Sequence, residues 1–211
     1  PTGGGKSTIA KLATRFYDPS KGRILIDGID VREVQLNSLR SQIGVVPQEP
    51  FLFAGSIRDN VGFSRPNVSD SEVIEALEAS GLMAMVNSLP EGINSVIHER
   101  GASLSAGERQ LIAIARAFLS KPRVLVLDEA TSNLDLQSES QVEQALDAIL
   151  DGRSAIIVAH RLATVMRADR ILVVDNGRVI ESGSHQELLN VGGAYFEMHN
   201  QWQETVRSNG S

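Results

Sequence analysis

Residues 103–135, SLSAGERQLIAIARAFLSKPRVLVLDEATSNLD, constrain the fold more than any other stretch of this chain. Ser105 with Glu108 forms a capping-box pair, which opens a helix expected to run to about Leu119. Residues 124–127, VLVL, are then apolar without alternation, the pattern of a strand buried on both faces of a parallel sheet. That strand stops at the acidic pair Asp128-Glu129. A helix feeding such a strand requires helical layers packed over a sheet.

The rest of the chain repeats the alternation. Ile9, Leu12, Ala13 and Phe16 stand at helical spacing, so a helix is predicted over 7–17, ended by Asp18-Pro19. Short strands are predicted at 24–26, stopped by Asp27-Gly28, and at Ile43–Val46. Ser69 with Glu72 caps a helix to Ser80, Gly81 breaks it, and a second helix covers 82–88. Helix 138–150 and a buried strand 155–159 follow. Asn176-Gly177 between 170–174 and 178–181 is a strong hairpin signal. Ser184 with Glu187 caps a last helix, and a disordered tail is expected over 208–211. The class is therefore α/β with a mainly parallel sheet, and residues 56–119 read as a helical insertion between two strands.

Composition narrows the function classes. The 211 residues suffice for one large domain, or a domain with a subdomain. A net charge of −6 argues against binding nucleic acid by bulk electrostatics, and the absence of Cys rules out a disulfide framework. No apolar run reaches the roughly 18 residues of a membrane span.

Two motifs carry chemistry. Pro1-Thr2-Gly3-Gly4-Gly5-Lys6-Ser7-Thr8 matches the phosphate-binding loop GxxxxGK[ST] from its second residue onward. Its glycines let backbone amides of Thr2, Gly3, Gly4, Gly5 and the first helical residues through Thr8 curl around phosphate oxygens, at a helix N-terminus that favours anions. Lys6 would bridge the β- and γ-phosphates of a nucleotide, and Ser7 would ligate Mg²⁺. Asp128, at the end of the apolar strand, would hold the same Mg²⁺ through water. The motif's opening Gly would sit just before Pro1, which reads as a chain cut inside the motif and lacking the strand that feeds it. Such a buried strand carries about four large apolar side chains, each worth roughly 1.5–3 kcal/mol. Residues 1–211 alone are accordingly expected to fold poorly, and a cooperative, high-temperature melt would refute that.

Acidic strand ends are common in ATPases, but an LSxG element 23 residues ahead of one, Ser105 to Asp128, is rare. The combination resembles the nucleotide-binding domain of ATP-binding-cassette (ABC) proteins, over nearly the whole chain. The resemblance implies a P-loop NTPase-like core at 1–55 and 120–211, its N-terminal strands missing, with a helical signature subdomain at 56–119. It implies ATP and Mg²⁺ as ligands, Glu129 and His160 as catalytic residues (Glu129 polarising the attacking water, His160 contacting the γ-phosphate), and Gln48 touching Mg²⁺ and water. Ser105, Ala106, Gly107 and Glu108 stand where the family has SGGQ and would bind the γ-phosphate of ATP held by an opposite subunit. Ala106 adds only a methyl. Glu108 adds a charge near an anion, but it can fold back onto the Ser105 amide as a cap. Ser132-Asn133-Leu134-Asp135 corresponds to the dimer-lining D-loop, with Asn133 replacing the usual Ala.

Two further segments resemble exporters. Around VVPQEPFLFAGSIRDNV, residues Phe51, Leu52 and Phe53 would contact a transmembrane domain that is not in this chain. Glu99-Arg100-Gly101 matches an exporter-specific element, with His98 replacing Gly. The implied protein is an ATPase powering export by head-to-tail dimerisation with a second nucleotide-binding domain, on the cytoplasmic face of a cell membrane. The alternatives are an importer subunit, a soluble non-transport ABC ATPase, or a module that dimerises on ATP without hydrolysing it.

Overall fold

The computed structural model describes residues 4–65, 67–98, 101–128, 134–159 and 162–209. These group into two compact units, residues 14–157 and residues 1–13 with 158–211.

In the larger unit, β3 (Ile43–Val46), β6 (Val124–Asp128) and β7 (Ser154–Val158) form a sheet in that order. Strands β3 and β6 are parallel, with Ile43 opposite Val124 and Val46 opposite Leu127. Leu125, Val126 and Leu127 are all buried, as their unbroken apolar run requires. Helix α6 (Ala106–Leu119) is buried on nearly every side, including Leu111, Ile112, Ile114 and Ala115. A helix buried on nearly every side belongs inside a layer stack. Around it lie α3 (Ile57–Val61), α4 (Asp70–Ala79) and α7 (Leu136–Leu150), which share one core with β6. Helix α4 starts at the capping box of Ser69 and Glu72, and α3 starts at another, Ser56 with Asp59.

Short elements escape a reading by periodicity. Leu25–Ile26 (β1) turns at Asp27-Gly28 into β2 (Ile29–Asp30), and α2 (Leu36–Ser41) precedes β3. Gly55–Ser56 (β4) pairs antiparallel with Val96–Ile97 (β5), within the region expected to be helix and loop, and α5 (Met83–Ser88) lies between them in the chain. Two-residue strands carry no period, so only their pairing defines them.

The smaller unit contains α1 (Lys6–Ala13), α8 (Leu162–Met166), the hairpin β8 (Ile171–Asp175) and β9 (Arg178–Gly183), α9 (His185–Val191) and α10 (Ala194–Asn209). Helix α1 ends short of the expected Tyr17. Past its end the chain belongs to the larger unit, where Arg15 takes φ 51° and spends its guanidinium on the carbonyls of Val31 (2.8 Å) and Val34 (3.1 Å), leaving Phe16 exposed beneath the Arg40 guanidinium. The expected last helix is two: Gly192 ends α9, and the Glu181 carboxylate accepts from the amides of Ala194 (2.6 Å) and Tyr195 (3.0 Å) to start α10. Helix α10 extends through Ser208 and Asn209, which were expected to be disordered; Gly210 and Ser211 lie outside the described residues. Ile171, Val173, Leu188 and Tyr195 form this unit's core.

Candidate functional site

In the smaller unit the phosphate-type loop runs into α1. The first helical bonds go from the amides of Thr8 (3.1 Å) and Ile9 (3.2 Å) to the Gly5 carbonyl. Gly5 sits at φ 101°, a conformation closed to side chains, and so the chain turns sharply into the helix. The Gly4 carbonyl accepts from the amide of Gly177, at the tip of the β8–β9 hairpin, at 3.0 Å. Asn176 (φ 46°) and Gly177 (φ 74°) give that tip the tight turn their sequence signals. Gly4 is buried, Lys6 half-buried, and Ser7 and Thr8 exposed, with no acidic residue in the first turn of α1. The arrangement suits an anion at the helix N-terminus. Thr2 and Gly3 lie outside the described residues.

In the larger unit, Asp128 ends β6 and Gln48 follows β3. Because Val46 and Leu127 are paired in a parallel register, both residues emerge at the carboxyl end of adjacent strands. Ligands of open α/β sheets bind at that edge. Asp128 is half-buried and Gln48 is exposed. Glu129 and His160 lie outside the described residues, as do Glu99, Arg100, Ser132 and Asn133.

Ser105 is the N-cap of α6. Its hydroxyl accepts from the Glu108 amide (3.1 Å), and the Glu108 carboxylate accepts from the Ser105 amide (2.7 Å). Glu108 thus folds back as a cap, and its charge is held on the protein's own backbone. Ser105 and Ala106 are exposed, while Gly107 is buried.

The ABC transporter family matches residues 1–132. The chain belongs to that family. It is 50% identical to an ABC transporter ATP-binding protein of Bacillus subtilis, YknV, over 92% of this chain and 32% of that protein. It is 46% identical to an ATP-dependent lipid A-core flippase of Syntrophus aciditrophicus, over 94% of this chain and 33% of that protein. Among solved structures it is similar to a bacterial Atm1-family ABC exporter with ATP bound, at a TM-score of 0.88 and 44% identity, covering 95% of this chain and 35% of that one. This chain therefore spans about a third of the length of these two relatives. It is an ABC ATPase domain, with ATP as its ligand. No helix among its described residues is long and apolar enough to cross a membrane.

Within this ABC domain the Phe-rich segment needs a correction. Leu52 is fully buried in the core, so it is not available to a partner; Phe51 and Phe53 are exposed, at 58% and 37%. Phe63, which motif reading passed over, stacks on Phe53 at 4.4 Å and is 56% exposed. Beneath these rings lies Arg116 of α6, its guanidinium 5.9 Å from Phe53 and 5.7 Å from Phe63. Arg116 donates to the carbonyls of Asn60 (2.8 Å) and Phe51 (3.3 Å), and burial pushes it below the usual arginine range. Asn60, fully buried, accepts from the Phe53 amide (2.9 Å) and donates to the Phe53 carbonyl (3.0 Å). Gln110, also buried, donates to the Pro47 carbonyl at 3.2 Å and so joins α6 to the loop that carries Gln48. A signal for Gln110 and Arg116 existed: each is a polar residue inside an apolar helix, where a partner is obligatory. Nothing in the sequence marked Asn60.

Proposed function

We propose that this chain is the motor domain of an exporter, driving a substrate across a membrane through ATP-dependent, head-to-tail pairing with a second nucleotide-binding domain. Residues 1–55 and 120–211 serve as the nucleotide core and 56–119 as the signature subdomain. The observation that carries this reading is the state of the α6 N-terminus. The Glu108 carboxylate is consumed by the Ser105 amide, and the Ser105 hydroxyl already accepts from the Glu108 amide. The hydroxyl proton is thus left to donate to an incoming phosphate oxygen, beside the exposed Ala106 amide end of the helix. The departures from SGGQ therefore leave an anion site. The flippase and exporter similarity supports export as the use of the energy.

In this reading Gly3, Gly4, Gly5 and Lys6 cradle the phosphates of one ATP, with Thr2 and Thr8 flanking them, while Ser105, Ala106, Gly107 and Glu108 of the partner domain close over its γ-phosphate. Ser7, Gln48 and Asp128 each offer an oxygen donor, hydroxyl, amide and carboxylate, of the kind that suits Mg²⁺. Bound there, Mg²⁺ would neutralise β- and γ-phosphate charge. Glu129 orients and polarises the attacking water, and His160 steadies the γ-phosphate. Catalysis is then mostly positioning and electrostatics. Phe51 and Phe53, with the Glu99-Arg100 region, meet the transmembrane domain at the cytoplasmic face.

Glu129→Gln in the full-length protein tests the assignment. The rate of phosphate release should fall by at least about a hundredfold while ATP-driven dimerisation persists. Unchanged phosphate release would sink the assignment.

A further inference from the structure

Gly107 marks the point where α6 meets α7. A methyl group on its Cα would lie 2.6 Å from Ser138 Cβ and 2.8 Å from Ser138 Oγ. Gly107 does not adopt a left-handed φ, so the backbone there would accept any residue. The exclusion comes from the neighbour. Ser138 is itself pinned: its amide donates to Asp135 Oδ1 at 3.0 Å and its hydroxyl to Asp135 Oδ2 at 2.7 Å. Asp135 caps α7 and ends the segment SNLD. At the other end of the contact, Gly107 is the second residue of α6, directly after the exposed N-cap Ser105 and the exposed Ala106.

We propose that the close packing of Gly107 against Ser138 is a positioning contact for nucleotide hydrolysis: it seats the Ser105–Gly107 turn on the capped start of α7, so that this turn and Asp135 move as one body. The proposal rests on the ATPase reading above and assigns a role to a residue outside its motifs. With no clearance at Gly107, any group added there displaces the Ser105 hydroxyl and the Ala106 amide together. Interiors packed to this density do not absorb an added carbon without backbone shifts. If Gly107 were glycine only to let phosphate approach, Ser138 would be irrelevant to it.

The two explanations separate in a rescue experiment on the full-length protein. Gly107→Ala should lower kcat for ATP hydrolysis by at least about tenfold. On the Ser138→Gly background, where the opposing Cβ is gone, the same change should cost less than about twofold. On the Ser138→Ala background, where the Cβ remains, the tenfold loss should persist. Thermal melts of the same variants follow the contact itself. Rescue of both hydrolysis and melting supports the proposal. Rescue of melting without hydrolysis overturns it, as does an equal loss in all three backgrounds. Should Gly107→Ala alone not fold, a folded and active double variant supports the proposal and an unfolded one overturns it. A wild-type protein without hydrolysis would remove the ATPase reading and the positioning role together, while the melts would still report the packing.

Discussion

Gly5 and Gly107 both stand in glycine-bearing phosphate motifs, yet they are glycine for opposite reasons. Gly5 sits at φ 101°, and the nearest atom to a Cβ placed there is Gly177 Cα at 3.4 Å, an ordinary contact. Its constraint lies in its own backbone. Gly107 has no such conformation, and its constraint is Ser138 at 2.6 Å, on another helix. A local rule explains the first glycine. Only packing explains the second, so the two motifs differ in kind although they look alike in sequence.

The sharpest test of that contrast is Gly5→Ala. Strain of about 1–3 kcal/mol at the loop, together with misdirected amides, should weaken ATP binding by about tenfold or more. No substitution at Gly177 should restore it. Titration with a fluorescent ATP analogue measures this, and wild-type affinity in the variant would break the contrast. Next in size is Arg116→Met, which asks whether tertiary contacts along α6 govern the larger unit. Two carbonyls lose their donor and two rings lose a cation, at a cost of about 2–3 kcal/mol in denaturant unfolding. Arg116→Lys should not rescue, because a point charge cannot fork to both carbonyls and stack on both rings. A loss below about 0.5 kcal/mol would show that the rings hold themselves.

Acid should act on local structure in both units. The hydroxyl and amide of Ser56 hold Asp59 below its ordinary 3.8, and the Ser69 and Ser184 amides, with their hydroxyls, hold Glu72 and Glu187 below 4.5. Hydrogen bonding to Arg32 draws Asp30 to about 2. Folded values below unfolded ones contribute stability that is complete above the unfolded pKa and is lost as pH falls through the folded one. Tm should therefore hold steady down to about pH 5 and decline from there toward pH 2. Hydrogen exchange should rise at the starts of α3, α4 and α9. A flat Tm across that window would deny the boxes any role. The smallest effect belongs to Glu108→Gln. Gln preserves the capping box, so Tm should move by less than about 2 °C. Removing the charge should lower KM for ATP by roughly twofold at low salt, and the difference should vanish at high salt. A large Tm drop would mean that the charge, not the cap, starts α6.

Capping boxes were the most legible feature of the fold, because both partners stand within four residues of each other and no distant group is needed. Ser69, Ser105 and Ser184 start their helices as their sequences indicate, and Asn176-Gly177 turns its hairpin. The apolar run 124–127 likewise declared a buried strand. The reading faltered where tertiary contacts decide. Arg15 leaves α1 for the carbonyls of Val31 and Val34, and Glu181 starts α10 from a strand thirteen residues before Ala194. Leu52 looked no different from Phe51 and Phe53 in sequence, yet it alone of the three is buried.

By itself, then, the sequence determined the chemistry on offer: a glycine-rich loop ahead of Lys6 and Ser7, oxygen donors at strand ends, a capped helix at Ser105. Each depends on residues close along the chain, whose geometry follows from backbone sterics and near-neighbour hydrogen bonds. The tertiary structure alone decided how α6 is tied into the larger unit, through Gly107 on Ser138, Gln110 on Pro47, and Arg116 beneath Phe53 and Phe63. Such contacts span up to 63 residues of chain, and they exist only once burial forces each polar group to find a partner and leaves no space for an added atom.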